Sequence, residues 1–189
     1  MKKLAVLGFA ALMAASVAMA EDAKSGLQPG DSVGPFTVEK VAGNPNDNVE
    51  VGKNLCYRCM LGSKPVVMVF ARKPDTALAG LIEKLDAELP KHKDKKLSSF
   101  VNIIGSDDAE SLKATAKEFG EKNKPEHVAI VVPEDSENGP ETFGISPDAE
   151  VTVIIYQDSK VVASHAFAPG KLNDKGIAAV IADATKMVN

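Results

Sequence analysis

Tryptophan is missing from this chain of 189 residues, and tyrosine occurs only twice. The chain therefore offers few aromatic faces on which nucleic-acid bases or sugars could stack. It also lacks a glycine-rich phosphate loop and a His-Glu-x-x-His motif, the patterns that indicate nucleotide binding or a zinc peptidase. No pattern points to an organic cofactor, and we expect none.

Basic residues are in shorter supply than acidic ones, with 22 lysines and arginines against 26 aspartates and glutamates. The first 20 residues contain Lys2 and Lys3 and no acid, so their removal would leave 20 basic and 26 acidic residues. An excess of negative charge disfavours binding to nucleic acid or to an anionic membrane surface. We expect neither of them as a partner.

The N-terminus carries an apolar run at residues 4–17. Lys2 and Lys3 precede this run, and the small-x-small triplet of residues 18–20 follows it, as in a secretory signal peptide. A membrane anchor is the alternative, but the run is shorter than the ~20 residues that a membrane span needs. We expect the mature protein to be soluble, and periplasmic or secreted. The predicted divisions are a signal peptide over residues 1–20, a polar lead-in over 21–33 and one domain over 34–189.

Strand-length and helix-length segments alternate along the rest of the chain. Residues 66–71 form a continuous apolar run, which is typical of a strand buried on both faces of a sheet. Asp75 is a favourable N-cap for a helix with leucines on one face. The predicted strands cover residues 36–41, 66–71, 100–104, 128–132, 151–156 and 160–167, and the predicted helices cover 76–89, 107 or 108 to 120, 140–143 and 173 or 174 to 187. This order predicts a mostly parallel sheet covered by helices, with a late antiparallel hairpin.

The only two cysteines form the motif Cys56-Tyr57-Arg58-Cys59. In an oxidising compartment such a pair can form a fixed disulfide, exchange disulfides with other molecules, or bind a soft metal. A structural disulfide is a serious alternative to exchange, although closing so short a loop contributes little entropy.

A short helix around the motif would bring the two sulfurs together. Asn54 can cap a helix over residues 55–61, which Gly62 would end. Cys56 then lies in the first turn and Cys59 lies one turn later on the same face. This arrangement suits a local disulfide, and the positive end of the helix favours a thiolate at Cys56.

A zinc site would need two ligands besides the two cysteines, because zinc takes four ligands. His92, His127 and His165 are the available histidines, but they are scattered without ligand spacing. Copper(I) needs only two thiolates, and Met60 adjoins the pair. Each of these side chains also has an ordinary structural role as the alternative.

Three parts of the chain together resemble a known fold family. They are residues 29–38, residues 64–71, and Gly144-Ile145 leading to residues 151–156. Their layout is similar to that of thioredoxin-like proteins of the peroxiredoxin or periplasmic thioredoxin type, and it spans most of the mature chain. The resemblance implies an α/β, thioredoxin-like three-layer sandwich, with a central mixed sheet and helices on both faces.

The cysteines depart from the pattern of both families. In thioredoxins the redox C-x-x-C follows the strand that matches residues 66–71, whereas Cys56 and Cys59 precede that strand here. The segment that matches the usual site, residues 71–77, contains no cysteine. A peroxidase reaction is therefore disfavoured, because nothing at the usual site could attack a peroxide.

Thiol-disulfide exchange is the function that we predict from the sequence. Cys56 would attack, Arg58 and the helix end would stabilise its thiolate, and Cys59 would resolve the mixed disulfide. The expected partners are protein thiols or disulfides, or an electron-donor protein. Two other classes stay open: a periplasmic copper-binding or chaperone-type protein, and a non-catalytic domain with a fixed disulfide. The sequence carries no signal of the oligomeric state.

Overall fold

The structure is a computed structural model, and it describes residues 24–106 and 108–189. The predicted signal peptide lies outside the described residues. The strands are β1 (Val38–Gly43), β2 (Asn54–Leu55), β3 (Val66–Ala71), β4 (Ser98–Ile103), β5 (Val128–Pro133), β6 (Val151–Gln157) and β7 (Lys160–Phe167). The helices are α1 (Tyr57–Leu61), α2 (Thr76–Glu88), α3 (Ala109–Asn123) and α4 (Asp174–Val188), with 3-10 turns at Leu89–Lys95 and Glu141–Phe143. Within the described ranges, no helix is both long and apolar enough to cross a membrane.

The strands of the described residues form one mixed sheet in the order β2-β1-β5-β4-β3-β6-β7. β3, β4 and β5 are parallel neighbours, because α2 and α3 carry the chain back across the sheet between them. β6 runs antiparallel to β3 and turns into β7 through the predicted hairpin. The α/β class with a central mixed sheet is confirmed.

The sheet separates two apolar layers. On one face α2, α3 and α4 pack against the strands, with Leu81 and Val180 among their buried side chains. On the other face lie α1, the lead-in and the loop before β6, with Tyr57 and Phe143 among theirs. β3 is buried along its whole length because it lies inside the sheet, between β4 and β6, and is covered by both layers.

The described part of the lead-in packs against the C-terminal hairpin. Ser25 Oγ lies 2.6 Å from Thr152 Oγ1 on β6, and both residues are buried. The backbone N–H of Gly30 donates to the carbonyl of Val161 on β7 at 2.9 Å. Residues 24–33 therefore belong to the same layer of the structure as α1.

The ends of the long helices α2 and α3 follow the sequence prediction at the N-termini but not at the C-terminus of α3. Asp75 and Asp108 cap α2 and α3 as predicted, and Asp107, the alternative cap of α3, lies outside the described residues. Gly120 does not end α3, which continues to Asn123. Instead, Gly120 lies where α3 crosses β1, and a Cβ at this position would overlap the side chain of Ala42.

Candidate functional site

The Cys56–Cys59 disulfide lies at the start of α1, shortly before β3, with its two Cα atoms 5.2 Å apart. This separation is usual for a disulfide. α1 lies at the end of the sheet where β3 begins and β6 ends, because these two strands are antiparallel. The backbone N–H of Asp158 in the β6–β7 turn donates to the carbonyl of Ser63 at 3.3 Å, which ties this turn to the link between α1 and β3.

Cys56 itself caps α1, whereas Asn54, the cap indicated by the sequence, belongs to β2. The Sγ atom of Cys56 accepts a hydrogen bond from the backbone N–H of Cys59, with an N···S distance of 3.1 Å. Gly62 ends the helix as predicted, with a φ of 60° that glycine adopts without a steric penalty. The helix is thus shorter than predicted, and the first cysteine precedes its first turn.

The two cysteines differ in their access to solvent. Cys56 is half-buried, and Cys59 is exposed. Met60 follows Cys59 and is 43% exposed, which is unusual for a large apolar side chain in the described residues. The outer side of α1 therefore presents Cys59 beside the exposed Met60.

Tyr57 anchors α1 to the sheet. Its ring is buried and stacks on Phe100 of β4, with the ring centroids 5.3 Å apart. Its hydroxyl donates to the Asp47 carboxylate at 2.5 Å. Burial raises the pKa of the Tyr57 phenol, and the hydrogen bond and charge of Asp47 raise it further. Tyr57 therefore stays neutral and remains a hydrogen-bond donor.

Asp47 is held in turn by a buried lysine. Lys40 on β1 is 1% exposed, and its Nζ lies 2.6 Å from Asp47 Oδ1. The same Nζ donates to the carbonyl oxygens of Asn44 and Val49, each at 2.8 Å. A buried ion pair is tolerated when its remaining hydrogen-bonding groups are also satisfied. The series Lys40–Asp47–Tyr57 thus joins the cysteine motif to β1.

Arg58 joins α1 to the lead-in. Its Nε donates to the carbonyl of Val33 at 2.9 Å. On β6, burial raises the pKa of the Tyr156 phenol, and the positive charge of Arg58 opposes part of that rise. The Tyr156 hydroxyl is buried without a hydrogen-bond partner among the described residues. Arg58 therefore connects the cysteine motif to the lead-in and lies near Tyr156 of β6.

The segment after β3, which carries the redox pair in thioredoxins, contains Arg72 and Asp75 in structural roles here. Asp75 caps α2, and Arg72 donates to the carbonyl oxygens of Glu137 and Ser146 at 2.9 and 3.3 Å. Burial lowers the pKa of the Arg72 guanidinium. These contacts attach the end of β3 to the loop before β6, and the cysteines lie at the opposite end of the strand.

The histidines considered as metal ligands lie apart from one another. His92 Nε2 lies 3.0 Å from a Glu88 oxygen, and His165 Nε2 lies 3.0 Å from an Asp183 oxygen. His127 immediately precedes β5. Across residues 24–106 and 108–189, no group of three or more His, Cys, Asp and Glu side chains is arranged to hold a metal ion.

Comparison with solved structures identifies the fold. The peroxidoxin BcpB from Mycobacterium tuberculosis matches with a TM-score of 0.61 and 15% identity, over 86% of this chain and 99% of that chain. The chain has a thioredoxin-like fold. A protein assigned as the thiol:disulfide interchange protein DsbE from Chlorobium tepidum matches it with a TM-score of 0.57 and 15% identity, over 82% of this chain and 99% of that chain.

A third thioredoxin-like structure, assigned as a protein disulfide isomerase from Bacteroides thetaiotaomicron, matches with a TM-score of 0.60 and 14% identity, over 87% of this chain and 92% of that chain. No protein-family model matches the sequence, and no curated protein matches it. At these identities the similarity shows the thioredoxin-like fold alone, so the chemistry has to be argued from the residues.

Proposed function

We propose that this chain carries out thiol-disulfide exchange through the Cys56–Cys59 pair. The observation that carries the proposal is a disulfide across one short helix, with one of its cysteines exposed. Exchange begins when a thiolate of another molecule attacks a disulfide sulfur, so the sulfur has to be reachable. The thioredoxin-like fold of proteins assigned to thiol:disulfide chemistry is consistent with this function.

The disulfide is poorly placed to act as a structural staple. Its cysteines are only three residues apart in sequence, and closing so short a loop removes little entropy from the unfolded chain. Tyr57 and Arg58 already attach α1 to the sheet and to the lead-in without it. We infer that the chemical reactivity of the disulfide matters more than its contribution to stability.

The surroundings of the pair favour a thiolate after the disulfide opens. The backbone N–H of Cys59 already points at the Cys56 sulfur, and a hydrogen bond to a charged acceptor is stronger than one to a neutral acceptor. Arg58 adds a positive charge within the motif, which lowers the pKa of a nearby thiol. We assign the reaction to Cys56, Cys59 and Arg58, with protein thiols or disulfides, or an electron-donor protein, as partners.

Export to the periplasm or the medium is part of the proposal. It is supported by the charged, apolar and small-residue pattern of residues 1–20 and by the disulfide, which persists in oxidising compartments. Mass spectrometry of the protein expressed in a bacterial host should find a chain that begins at Glu21 in the exported fraction. A full-length chain confined to the cytoplasm would contradict export.

The decisive test is the reduction potential of the pair in a series of glutathione buffers, with free thiols counted by alkylation and mass. We expect a potential of roughly −120 to −270 mV, the range of proteins that exchange disulfides. Resistance to reduction below about −300 mV would identify a structural disulfide, and the non-catalytic domain would then replace the proposed function.

Activity is tested by insulin reduction with a thiol as electron donor. The Cys56→Ser, Cys59→Ser double variant should abolish the activity, because it leaves no thiol that can attack a disulfide. Val162→Ser, a change at an exposed residue of β7, serves as the control and should leave it intact. Activity that survives in the double variant would reject the assignment of the pair.

A further inference from the structure

The two cysteines of the pair are not equally exposed. Cys56 lies between β2 and α1 and is half-buried, whereas Cys59 is exposed and is followed by the exposed Met60. Nucleophilic attack on a disulfide depends on access to the sulfur that is attacked. An incoming thiolate therefore reaches Cys59 more readily than Cys56.

The two sulfurs also differ as leaving groups. Cys56 Sγ accepts the backbone N–H of Cys59 at 3.1 Å, and this donor would stabilise the negative charge on Cys56 when the disulfide breaks. A thiol with a lower pKa leaves faster in exchange. Stabilisation of the leaving group and access to the attacked sulfur thus favour the same direction of reaction.

We propose that exchange proceeds through Cys59, which forms the mixed disulfide, and that Cys56 is the leaving and resolving sulfur. This inference rests on the proposed thiol-disulfide function and assigns roles within it. It reverses the order that the sequence suggested, in which Cys56 attacks. The reversal follows from where the helix begins, because Cys56 is the half-buried N-cap of α1 and Cys59 is the exposed cysteine within it.

In the reductive direction, a thiolate attacks Cys59 Sγ and forms a new S–S bond to it. The Cys56–Cys59 bond breaks, and its electron pair leaves on Cys56 as a thiolate. A second thiolate then attacks the sulfur of the first, which releases a disulfide and leaves the Cys59 thiolate. In the opposite direction, the Cys59 thiolate attacks a substrate disulfide and expels one thiolate, and Cys56 then attacks Cys59 and expels the other.

The first test locates the mixed disulfide in the unaltered protein. Oxidised protein is mixed with reduced glutathione, quenched in acid within the first turnover, digested at acid pH and sequenced by mass spectrometry. We expect roughly tenfold more glutathione on Cys59 than on Cys56, because access and leaving-group stability act together. Glutathione mainly on Cys56 would overturn this inference and leave the exchange function standing, whereas a disulfide that glutathione never opens would remove both.

A matched pair of variants tests access separately from ionisation. Cys56→Ser retains the exposed thiol and Cys59→Ser retains the half-buried one, and each reacts with oxidised glutathione at about pH 9 or above, where a free thiol is largely ionised. We expect the variant that keeps Cys59 to react about tenfold faster, because its thiolate belongs to the more exposed cysteine and exchange depends on access. Equal rates, or a faster reaction at Cys56, would contradict the assignment.

Discussion

At the scale of single residues, Tyr57 has a structural role inside the cysteine motif itself. Its ring packs on Phe100 and its hydroxyl binds Asp47, so the residue between the cysteines is also the one that fixes their helix. Asp47 is in turn neutralised by Lys40. The positions of the two sulfurs therefore depend on a buried polar group that lies outside the motif.

Tyr57→Phe tests the hydroxyl of this anchor. The variant keeps the ring on Phe100 and removes only the donor to Asp47. Asp47 remains buried with one hydrogen bond fewer, so we expect the free energy of unfolding to fall by about 1–3 kcal/mol. Urea denaturation of the oxidised protein measures this change.

Tyr156→Phe is the matched control. Its hydroxyl is buried and has no partner in the part of the chain that the structure describes, so its removal breaks no protein hydrogen bond. We expect the free energy of unfolding to change by less than about 0.5 kcal/mol, or to rise. Equal losses in both variants would show that the bond to Asp47 is not the source of the stabilisation.

The sequence could predict the motif but not the residues that hold it. Phe36, Val38 and Lys40 share one face of an alternating strand, and a lysine at such a position usually marks exposure. Lys40 can be buried because it pairs with Asp47. The turn that connects β1 to β2 brings Asp47 to the lysine. The only sequence signal of this buried ion pair was a lysine on the apolar face of a strand, followed by a turn rich in Asn and Asp.

At the scale of elements, α3 lies unusually close to β1. Gly120→Ala would place a Cβ against Ala42, with Ile130 Cδ1 a further 3.2 Å neighbour. Overpacking of this kind costs about 1–3 kcal/mol, more than the gain in helix propensity, so we expect a lower free energy of unfolding. Thermal and urea denaturation both measure it.

Gly80→Ala provides the control for that substitution. Gly80 lies inside α2, and an added Cβ would meet only Ile177 Cδ1 at 3.6 Å, an ordinary contact. We expect this variant to be more stable by about 0.5–1 kcal/mol, the usual gain of alanine over glycine in a helix. If the free energy of unfolding changes in the same direction in both variants, the spacing between α3 and β1 does not constrain residue 120.

Element positions were largely predictable because local patterns determine them. The apolar run of β3 and the aspartate caps of α2 and α3 need only neighbouring residues to be recognised. The end of α3 was misplaced at Gly120. The sequence does not distinguish a glycine that ends a helix from one that lets a strand pack closely against the helix. β2 was missed because two residues, Asn54–Leu55, carry no periodicity.

At the scale of the whole molecule, the order of the strands determines which end of the sheet carries the cysteines. β1 pairs with β5 and β6 pairs with β3, contacts between segments far apart in sequence that no local pattern specifies. The resemblance to thioredoxins predicted the fold, but the segment after β3, where thioredoxins carry their redox pair, contains no cysteine here. The chain instead places its pair before β3, at the end of the sheet that the β6–β7 turn and the lead-in share.

Reduction of the disulfide should leave the whole molecule folded. Two buried layers on either side of the sheet hold the domain together, and α1 keeps its contacts through Tyr57 and Arg58. The short loop that the disulfide closes contributes about 2 kcal/mol at most to the free energy of unfolding. We therefore expect the reduced protein to keep its far-ultraviolet circular dichroism, with a urea midpoint lower than that of the oxidised protein by no more than about 1 M. The Cys56→Ser, Cys59→Ser double variant should behave like the reduced form. Unfolding on reduction would instead identify the pair as structural, because a domain that cycles between dithiol and disulfide has to be stable in both states.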